Sequence, residues 1–217
     1  MKVQRLRIRF SKTSAMQYTG HLDVRRAWER TMRRAGLPLA YSQGYTPHPR
    51  LNLASPLPLG FTSTAELADV WLSEKRDPEL VQTRLEEAVP PGFEIHSVKE
   101  IPDLHGDKLP TLLESSLYLL TFHRDAPDLP QRVEELMSRE HLPRQRKKKP
   151  YDLRPLIEEM KILSPSNQGT PRLQVQVSSR PGANGRPDEV LRALGYSPSS
   201  ADICRTEIIL AEPDKES

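Results

Sequence analysis

The chain has 217 residues, 36% apolar and 28% charged, with 21 prolines, one cysteine and a formal charge of +3. That length buries a core in one medium domain or two small ones without metal or disulfides, and no run approaches the roughly 18 apolar residues of a membrane span. Cys204 alone excludes an internal disulfide framework and an iron–sulfur cluster held by several protein thiolates, and the six histidines lack zinc-site spacing, so neither metal nor cofactor is expected.

The N-terminal MKVQRLRIRFSK alternates apolar and basic residues where a secretion signal needs a continuous apolar core, which predicts a cytoplasmic protein. Its period of two puts Leu6, Ile8 and Phe10 on one face of a strand and Arg5, Arg7 and Arg9 on the other. Helical periodicity starts near His21 and runs through Val24 and Trp28 to Ala35, with Gly36 as its stop. A second strand falls between Leu39 and Leu53, interrupted by YSQGYTPHPR, and AELADVWL reads as a third. Asp77 and Pro78 then open a helix, as a cap and a first-turn proline do, and FEIHSVKEI closes the series.

Strand, helix, strand, strand, helix, strand is the order of the ferredoxin-like unit. A second copy is fainter. SSLYLLTFHR, a helical stripe from Leu129 to Met137, TPRLQVQVSS, RPDEVLRALG and ICRTEIILAE supply all but one strand, which must lie within PRQRKKKPYDLRPLIEEMKIL. The expected fold is α+β, two ferredoxin-like units with antiparallel sheets, over residues 1–100 and 114–212.

Charge is lopsided. Residues 1–60 carry eleven basic and two acidic side chains, net +9, and residues 61–100 carry four and nine, net −5. A basic footprint of this kind attracts a polyanion. With helices on one side of the sheet, Arg5, Arg7 and Arg9 face the open side as a phosphate-binding row that Lys12, in the following loop, extends, or else as a protein contact or a plain solvated face. In YSQGYTPHPR, Gly44 permits a sharp turn and Pro47 and Pro49 stiffen the presentation of His48 and Arg50. Tyr41 and Tyr45 offer stacking surfaces for unpaired bases, and Gln43 a hydrogen bond to a base edge. The same prolines also suit a purely architectural turn. The connector RQRKKKP adds Arg146, Lys147 and Lys148, as a phosphate-binding tract or an ordinary solvated linker. In GHLD, the i,i+2 spacing keeps His21 and Asp23 off a common helical face and argues against a relay between them.

At RIRFSK, GHLD, RRAGLPLAYSQGYTPHPR and LASPLPLG, then at DLRPLI, RPDEVLRALG and RTEI, the chain resembles an uncharacterised bacterial family of radical-SAM-linked proteins, from about Val3 to Ile209. The resemblance implies an accessory role beside a separate radical-SAM enzyme that modifies RNA. The chain itself lacks the three closely spaced cysteines of such an enzyme, and Tyr45 stands where the family pattern often has histidine. A more remote likeness in topology is to ferredoxin-like RNA-processing proteins of bacterial immunity. The leading expectation is therefore an RNA-binding, substrate-presenting accessory protein. The alternatives are a metal-independent ribonuclease using His48 or His21, and a protein-only docking adaptor.

Overall fold

The computed structural model describes residues 1–146 and 148–211. The chain packs as two compact units, Met1–Leu113 and Glu114–Ser217, both mixing helices with antiparallel strands. No helix among the described residues is long and apolar enough to cross a membrane.

The first unit runs β1 (Gln4–Lys12), α1 (His21–Arg34), β2 (Leu51–Leu53), β3 (Thr62–Leu72), α2 (Pro78–Ala88) and β4 (Phe93–Glu100). Its strands lie in the order β2-β3-β1-β4, each neighbouring pair antiparallel. The alternation in β1 decides which face the helices cover. Leu6, Ile8 and Phe10 are at most 1% exposed and pack with Val24, Trp28 and Met32 of α1 and Val81 and Leu85 of α2. Burying each of those three β1 side chains contributes about 1.5–3 kcal/mol. Phe10 meets Trp28 edge-on at 4.7 Å, and Trp28 stacks on Phe93 at 5.3 Å. At the end of α1, Gly36 adopts φ +63° and the Leu37 amide reaches back to the Met32 carbonyl, a glycine-dependent stop. Asp77 accepts from the Glu79 amide and Pro78 takes the first turn of α2, as the sequence indicates.

β2 is only three residues long. Pairing with β3 is split into an isolated Leu39–Leu72 bridge and the short run Leu51–Leu53, because the chain between them leaves the sheet opposite Trp71 as a loop that carries Pro47 and Pro49.

The second unit runs β5 (Leu113–Phe122), α3 (Leu129–Ser138), β6 (Pro143–Arg146), β7 (Lys149–Asp152), β8 (Ile157–Leu163), β9 (Arg172–Arg180), β10 (Ala183–Asn184), α4 (Pro187–Ala193) and β11 (Ala201–Leu210). β9 pairs antiparallel with β5 on one side, and with β8 and then β10 on the other; β11 is the neighbour of β5. β8 is the strand required within the basic connector. The rest of that connector differs from the expected flexible tract, because β6 and β7 pair as a hairpin.

Asp152 fastens the base of this hairpin. Its carboxylate accepts from the amides of Leu142 (2.8 Å) and Arg154 (2.9 Å) and lies 2.7 Å from His141 Nδ1. The Leu142 amide, then His141, then the Arg154 amide favour the charged form and hold the Asp152 carboxyl down at about 2. A carboxyl depressed in the folded state stabilises above its unfolded value, near 3.9, and that contribution disappears as pH falls through about 2. The melting temperature of Asp152→Ala should therefore fall below that of the parent at pH 6, with the gap closing toward pH 2. A gap independent of pH would show that the carboxylate charge is not what holds the turn.

Candidate nucleic-acid interface

The three β1 arginines do not form an open row. Arg5 is 2% exposed, because residues 101–112 cross that face of the sheet and supply carbonyl acceptors from Asp103 (3.2 Å) and Asp107 (2.7 Å). Trp71 donates from Nε1 to the Leu104 carbonyl at 3.0 Å and presents its ring to the Arg5 guanidinium at 5.0 Å. Asp69, fully buried on β3 opposite Arg7, accepts from both Arg5 (2.7 and 3.0 Å) and Arg7 (2.8 and 3.0 Å). Arg5 is thus a structural cation, Arg7 is half-committed, and only Arg9 is exposed. Alternation assigned the face correctly, but nothing in it reveals a distant segment folding over that face.

Lys12 also departs from expectation. It ends β1 rather than standing in a loop, is 1% exposed, and donates from Nζ to the Gln17 carbonyl at 3.3 Å. The period of two predicts this when carried one step further, since position 12 follows 6, 8 and 10 on the helix-covered face. Lys12, His21, Ser55 and Glu66 line a cavity of about 10 Å³ with Phe10 and Leu57, space for about one water. Burial, with the charge of Arg25 adding to it and Glu66 opposing, lowers the pKa of His21 and keeps its imidazole neutral near pH 7. His48, the other proposed base, is exposed in the loop after α1.

YSQGYTPHPR is a closed, outward-reaching loop. Tyr41 and Pro49 form a bridge, the Ser42 amide donates to the His48 carbonyl (2.9 Å), and the His48 amide donates to Ser42 Oγ (3.0 Å). Arg50 Nε donates to the Tyr41 carbonyl at 3.1 Å and locks the neck. Below it, the Ala40 amide donates to the Trp71 carbonyl and the Trp71 amide to the Arg50 carbonyl, anchoring both arms on β3. At the tip Gly44 takes φ +130°, a conformation that side chains oppose. Gln43, Tyr45 and His48 are exposed, Tyr45 completely and Tyr41 at 45%.

Two cations absent from the sequence-based set stand near this neck. Burial, then the positive charges of Arg50, Arg5 and Lys108, lower the pKa of Lys2, so each of the three lies within electrostatic reach of Lys2. Lys2 Nζ is 5.6 Å from the Trp71 ring centre. The loop therefore combines an exposed aromatic and hydrogen-bonding tip with a neck arginine whose charge is felt by Lys2. No spacing rule links residues 2, 50 and 108.

In the second unit, Arg146 and Lys148 are exposed at the β6–β7 turn, where Lys148 adopts φ +67°. Lys147 lies outside the described residues. No cluster of three or more metal-ligating side chains occurs among the described residues.

A mixed α+β chain that carries an exposed aromatic loop on a hydrogen-bonded neck is the class that fold and surface define. The chain belongs to DUF2344, a family described as an uncharacterized protein conserved in bacteria, whose model matches residues 5–187. No curated protein matches it. Among solved structures it is similar to a chain of an H/ACA RNP bound to a substrate RNA containing 2'-deoxyuridine, with 11% identity, TM-score 0.41, and coverage of 86% of this chain and 43% of that one. It is also similar to a chain of the archaeal box H/ACA sRNP Nop10–Cbf5 complex, with 10% identity, TM-score 0.44, and coverage of 94% and 48%. The chain spans less than half the length of either.

Proposed function

We propose that this protein binds single-stranded RNA through the loop of residues 41–50 and presents it to a separate enzyme, the radical-SAM enzyme that the sequence resemblance implies. In this reading both units are ferredoxin-like and serve as scaffold. The observation that carries it is the exposed set Tyr41, Gln43, Tyr45 and His48 on a loop whose neck is closed by hydrogen bonds of Ser42, His48 and Arg50, with Lys2 within electrostatic reach of Arg50 and of Lys108. A preordered loop loses little entropy on binding. Aromatic rings stack on unpaired bases without strict sequence preference, while cations below them meet the phosphates. Arg9, Arg146 and Lys148 are further phosphate contacts in this proposal.

Phosphate contacts release counterions, so affinity falls with salt in proportion to their number. Lys2→Gln with Lys108→Gln should lower affinity for a single-stranded oligonucleotide and reduce the slope of log affinity against log salt by about 1.4, at ~0.7 per contact for single strands. An unchanged slope in the folded double variant would remove these lysines from the interface.

A further inference from the structure

The arginines of α1 divide into two sets. Arg25 and Arg26 have carboxylate partners, Glu29 and Asp23, at 3.2 Å. Arg30, Arg33 and Arg34 are exposed and have neither a salt bridge nor a side-chain hydrogen bond among the described residues, and Arg84 on α2 is in the same condition. Arg33 and Arg34 suit the negative end of the helix dipole, but Arg30 and Arg84 gain no such compensation.

These four cations edge two adjoining hollows of about 440 and 450 Å³ that share Arg34. Met16, Ala27 and Pro90 give the first an apolar floor, whereas the second, where Ala35, Ala88 and Val89 lie among Arg34, Arg84 and Glu87, is mainly polar. Glu87 is the single acidic side chain in the lining. The surface thus sets the apolar floor of the first hollow beside a margin of unmatched positive charge that continues along the second.

We infer that this groove of the first unit docks an acidic amphipathic helix from a protein partner. Arg33 and Arg34 follow Arg30 by three and four residues, so their charges stand about 4.5 and 6 Å along α1 from that of Arg30. Acidic side chains at i,i+3 and i,i+4 on a partner helix repeat with the same step. Apolar residues on that helix cover the floor, as in helix-in-groove recognition. A sugar-phosphate strand matches the charge but brings no aliphatic surface to the floor, which favours a peptide over RNA. The inference is independent of the RNA-binding loop and gives the protein a separate attachment point for a partner.

The test uses the full chain and three labelled probes: a helical peptide with Leu on one face and Glu on the other, a polyglutamate peptide of equal charge, and single-stranded oligouridine. The amphipathic peptide should bind more tightly than polyglutamate. Arg30→Glu with Arg33→Glu should weaken it by about tenfold or more, and Arg84→Glu should do so separately, while affinity for oligouridine remains within about threefold of the parent. Equal binding of the two peptides, or an unchanged affinity in both variants, would overturn the inference. A parallel loss of oligouridine binding would also overturn it and assign the groove to RNA. The RNA-binding loop is untouched by all of these variants, so its failure would be seen as weak oligouridine binding by the parent.

Discussion

Replacing Asp69 with Ala should destabilise the protein by about 3–5 kcal/mol, the cost of leaving a buried charge without its partner. Arg5 is 2% exposed and Asp69 fully buried, so water cannot replace the lost carboxylate without opening the segment over that face. Arg7, at 20% exposed, can turn toward solvent, but Arg5 keeps only carbonyl acceptors from residues 103, 106 and 107. The first unit's unfolding by urea is the relevant measurement, with Asp23→Ala as the comparison. Asp23 and Arg26 are 61% and 70% exposed, and breaking that pair should cost less than about 1 kcal/mol. Similar losses in the two variants would show that the buried triad is not a structural centre.

The second large effect concerns the loop. Tyr41→Ala with Tyr45→Ala should weaken binding to a single-stranded oligonucleotide by about 30-fold, or ~2 kcal/mol, from a range of about 1–3 kcal/mol for each stacked base. Tyr45 is completely exposed, and Tyr41 contributes its backbone to the neck while its ring stays 45% exposed. Stability should therefore change little. Full affinity in this double variant would eliminate stacking at the loop and leave only charge attraction.

Local order was legible wherever it is written in local periodicity. Alternation placed Leu6, Ile8 and Phe10 inside, Asp77 and Pro78 marked the start of α2, and Gly36 ended α1. The missing strand of the second half was located to the correct connector and is β8. Residues 143–152 were harder, since paired basic strands carry no apolar alternation, and the hairpin depends on Asp152 gathering amides from residues 142 and 154. The fate of Arg5 depends on contacts across roughly a hundred residues of sequence, which no periodicity encodes. Lys12 is the opposite case. Its position in the alternation already put it with the core, and its charge concealed that.

The candidate loop follows the same division. Gly44, Pro47 and Pro49 announced a stiff turn with Tyr45 and His48 on it, and the structure gives that turn a defined neck through Ser42 and Arg50. The neighbouring cations were hidden, because Lys2 comes within electrostatic reach of Arg50 and of Lys108 only in the folded chain.

The central claim is most directly tested by ultraviolet crosslinking of the full chain to a pool of single-stranded RNA, with the attached peptides mapped by mass spectrometry. The account predicts crosslinks at Tyr41, Tyr45 and His48, lost when the loop residues are substituted. Crosslinking no greater than that of an equally basic control protein, or adducts confined to α1 or the β6–β7 hairpin, would contradict it.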